Sequence, residues 1–200
     1  MRSLALLILR LTVGSLIAGH GAQKLFGSFQ GPGIEQASGM MESLGYRPGR
    51  PWAMAASWSE LGGGILTALG LLNPLGPLCA MCVMVTATFK AHAGKPVWVT
   101  HGGAELPLTN MAAASAITLA GPGNISMDRL LGIKLPWWFN VLAFGTAAAV
   151  TYAGIESSNR AQQAQPQSPP SRIAAPSGGE AHLQTEAVRP EQPHVVTEGS

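Results

Sequence analysis

Charged side chains are few in this 200-residue chain, and the ones that interrupt its apolar stretches are the first candidates for chemistry. Arg10 lies within the first such stretch and Glu60 near the middle of the second. In a bilayer, an ionised side chain near the midplane costs at least about 2.5–3.5 kcal/mol on insertion scales, so each should be paired or belong to a site. At the helical step of 100° per residue, Arg10, Gly14, Gly21 and Lys24 fall within a sector about 80° wide, with His20 on its flank. Glu60 is followed by Gly62, Gly63 and Gly64, small residues that let a neighbouring helix approach closely. Arg10 and Glu60 are therefore the expected partners. The pair reads either as a structural salt bridge that docks two helices or as part of a ligand or proton site. The second reading draws on His20, Gln23 and Lys24 at the end of the first stretch, and on Lys90, His92, His101 and Glu105 around the end of the third. In an antiparallel bundle these ends share one side of the membrane. Imidazoles and ammonium groups there suit a polar headgroup, a quinone carbonyl or a small anion. His101 alone reads as an ordinary interfacial residue.

Cys79 and Cys82 form a CxxC whose sulfurs share one face of a helix. Dithiol redox chemistry is one reading. A pair of small hydrophobes is the other, because an apolar helix disfavours the thiolate. A metal site is not expected, since structural zinc needs four ligands and no others are near in sequence.

The elements that must carry these residues are apolar segments at 4–21, 52–72, 75–89, 106–120 and 137–155. A bilayer core about 30 Å thick takes roughly 20 helical residues to cross, so the chain is read as an all-α, polytopic membrane helix bundle. Its charged fraction of 11% compares with about 25% in soluble domains. Asn73, Pro74, Leu75, Gly76 and Pro77 make a tight turn that sets the second and third segments antiparallel. Residues 34–44 have the apolar spacing of a short amphipathic helix at the interface, suited to capping the polar end of the bundle. Trp98, Trp137 and Trp138 fit an interfacial aromatic belt. Residues 157–200 lack aromatic side chains and are rich in Pro, Gln, Ser and Glu, the composition of a disordered polar tail. The expected divisions are a membrane bundle over 1–133, an additional transmembrane helix over 134–156 and the tail.

Arg2 followed by a leucine-rich run resembles a signal peptide, but Arg10 breaks the run and no small-x-small cleavage site follows, so a retained first helix is expected. Counting Lys and Arg by loop favours an outside N-terminus. Residues 1–155 hold nine basic and five acidic side chains with no basic block, zinc-finger spacing or aromatic-interleaved basic patch, so nucleic acid is not an expected partner.

Three motifs carry a family resemblance. Residues 9–14 running into His20, Gly21, Ala22, Gln23, Lys24, Leu25, Phe26 and Gly27 look like the opening of the DoxX family of small bacterial membrane proteins. Glu60 to Gly64 with Leu69 to Leu72 resembles its second helix, and residues 121–131 its closing segment. The resemblance spans about residues 3–132. It implies a four-helix bundle in a bacterial cytoplasmic membrane, crossed several times, with relatives that include a subunit of a thiosulfate:quinone oxidoreductase and a membrane partner of oxidative-stress enzymes. The fifth segment and the tail depart from that pattern, and the CxxC is not tied to it.

Two function classes follow. In the first, the chain is a non-catalytic, quinone-facing subunit or partner of a membrane redox system, in which Arg10, His20, Lys24, Glu60 and His92 bind a quinone or anion. A redox-enzyme partner then supplies the cofactor, because the sequence carries no dinucleotide fingerprint, haem-attachment motif or iron–sulfur cysteine set. No intrinsic cofactor is expected apart from a bound quinone. In the second class, the same polar face serves a small-molecule transporter or a membrane-integrity protein without a redox role.

Overall fold

Seven helices and their connections make up the structure, a computed structural model that describes residues 2–164. Helix α1 (Arg2–Phe26) runs the full height of the bundle. A short amphipathic helix, α2 (Gly33–Ser43), buries Ala37, Ser38 and Met41 and packs on α3 (Gly49–Leu69). Pro51 sits in the first turn of α3, where its missing N–H costs no helical bond. Gly70 ends α3 with φ 62, the left-handed conformation of a helix stop. Helix α4 (Leu75–Thr86) returns antiparallel and runs into a π-helical turn, Ala87–Ala91. Helix α5 (Glu105–Ala120), the one-turn α6 (Met127–Leu130) and α7 (Trp137–Gln163) complete the chain.

Four helices, α1, α3, α4 and α5, form the core, where Val13, Ile17, Ala80 and Ile117 meet. The outer surface is apolar: Leu4, Ile8, Leu16, Leu119, Val141 and Leu142 are exposed. The interior, by contrast, holds Arg10, Ser57, Glu60, Thr67 and Asp128. Apolar residues outside and polar ones within are the order a hydrocarbon solvent imposes. Two helices, α1 and α7, are long and apolar enough to cross a membrane on their own, whereas the sequence reading gives five crossings. The α3 stretch is made less apolar by the polar side chains it buries, and α5 has only 16 residues.

The contact between α1 and α3 is backbone against backbone. A Cβ placed on Gly14 would stand 2.6 Å from Gly64 O and 2.5 Å from Ala68 N, and one on Gly64 would collide with Ala18. Gly21 fits in the same way against Ser57 and Leu61. The three consecutive glycines of α3 divide their labour: Gly64 faces α1, Gly63 faces Cys79 and Gly76 of α4, and Gly62 faces open space.

This register overturns the expected Arg10–Glu60 pair. With Gly14 opposite Gly64 and Gly21 opposite Leu61, the antiparallel helices set Arg10 against Gly70 and set Glu60 beside the last turns of α1. Arg10 and Lys24 lie on one face but about 21 Å apart along the axis at 1.5 Å per residue. A shared face did not mean a shared level.

The C-terminal helix also differs from expectation. Residues 157–163, assigned by composition to the tail, continue α7 for two more turns. Ser158 Oγ donates to Leu44 O at 2.6 Å, and Lys90 Nζ donates to Asn159 Oδ1 at 2.8 Å and Gln162 Oε1 at 3.1 Å. Polar composition reads as tail when these tertiary partners are not visible. The rest of the expected tail, 165–200, lies outside the described residues.

Glycine substitutions should report this packing. Gly14→Ala, Gly64→Ala and Gly70→Ala should each lower the thermal midpoint in detergent, Gly70→Ala also through its positive φ, while Gly62→Ala should leave it unchanged or raise it by removing a helix-interior glycine. Equal midpoints for Gly62→Ala and Gly64→Ala would refute the close-packed register.

Candidate functional site

Polar side chains gather at both ends of the bundle, and the two groups do different things. At the end where α1 begins, Arg10 Nη2 donates to Ile125 O, and Asp128 accepts from Leu72 N at 2.7 Å and from Asn73 N at 2.9 Å. Asp128 N in turn donates to Gly70 O at 3.1 Å. The carboxylate thus ties the closing segment to the α3–α4 turn, and the absence of a side chain on Gly70 leaves room for the Arg10 guanidinium. Ser126 caps α6, its Oγ accepting from Arg129 N at 3.2 Å. This constellation is a structural clasp of α1, the α3–α4 turn and the closing segment. It sets Arg10 apart from the other candidate residues, with its Nε and Nη1 buried and without a hydrogen-bond partner. Asp128 did not figure among the expected site residues, and its signal was a lone acid inside the closing motif.

At the opposite end, Lys24 Nζ lies 2.5 Å and 2.6 Å from the two oxygens of Glu60, whose side chain is 2% exposed. The pair stands on the wall of a cavity of about 360 Å³. His20 and His92 line the same cavity, together with Tyr46, Asn110 and Cys82. The remaining wall is mostly apolar, with Met40, Met41, Trp52, Met84, Leu106 and Val150 among its residues. Four of the five expected ligand residues, His20, Lys24, Glu60 and His92, therefore meet at one place, and Arg10 does not.

Local structure explains how they get there. The π-helical turn Ala87–Ala91 closes with His92 N donating to Ala87 O at 3.1 Å, and this one-residue widening precedes His92 directly. His92 Nδ1 stands 2.6 Å from Gly102 O. A carbonyl only accepts, so Nδ1 carries the proton and Nε2 is left as an acceptor. His20 Nδ1 is 3.1 Å from Gln23 Oε1. His101 meets Thr100, and Glu105 accepts from Val99 N at 2.9 Å, so both serve their own loop. Lys90 is taken up by α7.

Tyr46, absent from the sequence-based candidates, is 2% exposed, and its hydroxyl makes no hydrogen bond of good geometry, with the Thr86 side chain as its polar neighbour. Burial pushes the phenol above its ordinary range, with Thr86 opposing in smaller part, so it stays protonated and remains a donor. Its ring tilts against Trp52 with centroids 5.1 Å apart.

The cysteines separate. Cys82 lines the cavity and lies 3.6 Å from Ala147 O of α7, while Cys79 packs toward Gly63 of α3; both are free thiols. Among the described residues no three His, Cys, Asp or Glu side chains are grouped to hold a metal ion.

Residues 5–93 match the sequence profile of the family described as DoxX, which takes the chain from α1 through the turn that ends at His92. Helix α5, the closing segment and α7 lie outside the matched stretch. No curated protein and no solved structure matches the chain.

The ion pair generates a test. Removing one partner of a buried pair strands the other, at a cost of about 3–5 kcal/mol, whereas replacing both by apolar groups is often neutral. Lys24→Met should therefore destabilise the bundle strongly in denaturant titrations, and Lys24→Met combined with Glu60→Leu should recover most of the loss. A double variant as unstable as the single one would sink the isolated-pair account.

Proposed function

We propose that this chain, a DoxX-family membrane protein, binds a quinone-like ring in the cavity between α1, α3, α4, α5 and α7 and acts as the membrane subunit or partner of a redox enzyme. The observation that carries the reading is the meeting of His20, Lys24, Glu60 and His92 on one largely apolar wall. A quinone needs an apolar slot for its ring and hydrogen-bonding groups for its carbonyl oxygens, and such convergence of a few polar groups in a mostly apolar pocket is the usual form of a small-molecule site. The residues fit the group: the buried Tyr46 hydroxyl, which makes no hydrogen bond of good geometry beside Thr86, would gain an acceptor in a ring carbonyl. When bound, a quinone supplies two-electron, two-proton redox capacity. The chain's own part is to hold and orient it and to exclude water, and the electron-carrying group belongs to the partner enzyme.

Packing supports this reading over a permeation path. Between the Lys24–Glu60 end and the Arg10 end lies the packed cluster of Val13, Ile17, Ala80 and Ile117.

Protein extracted in mild detergent should retain a quinone detectable by native mass spectrometry and solvent extraction, with a redox enzyme co-purifying. Tyr46→Phe, which keeps the ring against Trp52, should lower quinone retention several-fold without lowering the thermal midpoint. Recovery of phospholipid alone, with no change on adding decylubiquinone, would shift the assignment to transport or membrane integrity.

A further inference from the structure

Helix α7 is not part of the matched family stretch, yet it supplies one wall of the cavity through Val150, Thr151 and Gly154. It is held there by specific contacts on either side of that wall: Ala147 O against Cys82, and Ser158, Asn159 and Gln162 against Leu44 and Lys90. A glycine in the middle of a helix costs about 1 kcal/mol relative to alanine. At Gly14 and Gly64 the reason is crowding, but Gly154 is different. It is buried, its backbone is not left-handed, and a Cβ there would stand 3.5 Å and 3.8 Å from two atoms of the Trp52 ring, which is ordinary contact. Room exists for a methyl group and for little more before a side chain enters the space beside Trp52.

We infer that Gly154 of α7, facing Trp52, is a specificity-determining position that sets the largest ring the cavity admits. This rests on the ligand reading above and adds to it: a helix outside the matched stretch limits substrate size. The polar wall comes from the matched stretch and offers the Tyr46 hydroxyl as donor to a ring oxygen, whereas the α7 wall gauges ring width. A bulky residue at 154 should therefore reject a fused two-ring ligand while still admitting a single ring.

The test uses the full chain in nanodiscs, with duroquinone as the single-ring probe and dimethylnaphthoquinone as the fused-ring probe. Wild type should bind both. Gly154→Leu should weaken dimethylnaphthoquinone about tenfold more than duroquinone, the scale of discrimination a misfitted apolar pocket provides. Thr151→Phe, one turn earlier on the same wall, should discriminate in the same direction and serves if Gly154→Leu does not fold. Gly145→Leu places the same side chain on α7 where the glycine meets no neighbour, and it should bind both probes as wild type does. Equal affinities for the two probes in both wall variants, or discrimination by Gly145→Leu as well, would overturn the inference while leaving the quinone reading intact. Wild type that binds neither probe overturns both.

Discussion

Everything in this bundle is registered by the contact between the backbones of α1 and α3. Small residues recur on α1 at Gly14, Ala18 and Gly21 and on α3 at Ser57, Gly64 and Ala68, and each meets the other helix without an intervening side chain. Lipid tails are as apolar as leucine, so burying leucine between helices gains little in a membrane. Close van der Waals contact and internal hydrogen bonds must hold the helices instead. Such a contact tolerates no slip: moving one helix by a single residue would drive a Cβ into the opposing backbone. Both polar constellations inherit their geometry from it. Arg10 is opposite Gly70 and Glu60 is within reach of Lys24 because Gly14 is opposite Gly64.

The same constraint separates the tasks of the two ends. At the α1 start, the Asp128 carboxylate is occupied by two backbone N–H groups, and Arg10 donates to the Ile125 carbonyl of the closing segment. Non-helical backbone at 70–74 and 121–126 is acceptable near lipid because these contacts bury and satisfy much of it. At the other end α1, α2, α3, α4, α5 and α7 line a cavity, with Ala87 and Ala91 of the π-helical turn on its wall.

Much of this was readable from residue types. The apolar segments, the tight turn at Asn73 and Pro74, the amphipathic helix near 34–44 and the closeness implied by the glycine run all rest on local pattern, and the fold follows them. The convergence of His20, Lys24, Glu60 and His92 was readable because antiparallel topology alone brings the end of α1 to the end of α4. What pattern could not supply was axial register. A helical wheel reports angle and discards height, and so it joined Arg10 to Glu60 although a neighbouring lysine on the same face was the partner. Asp128 was missed for a related reason: it acts on the backbone of Leu72 and Asn73, far away in sequence, with no local periodicity to mark it. The last two turns of α7 were hidden because Ser158, Asn159 and Gln162 look like solvent-seeking residues until Leu44 and Lys90 are placed beside them.

The charge balance of the cavity narrows what it can hold. Glu60 has both oxygens on Lys24, so the pair presents a dipole and no net charge to the space beside it. An anion drawn in by Lys24 would have to compete with a carboxylate already in place, and a cation drawn in by Glu60 would have to displace an ammonium. Either exchange would leave one buried charge uncompensated, at several kcal/mol. A neutral ligand faces no such cost. It can accept from the Tyr46 hydroxyl, lie against Trp52 and the methionines, and leave the ion pair intact. Neutral and acceptor-bearing is the chemistry these charges favour, and the proposed quinone meets both conditions.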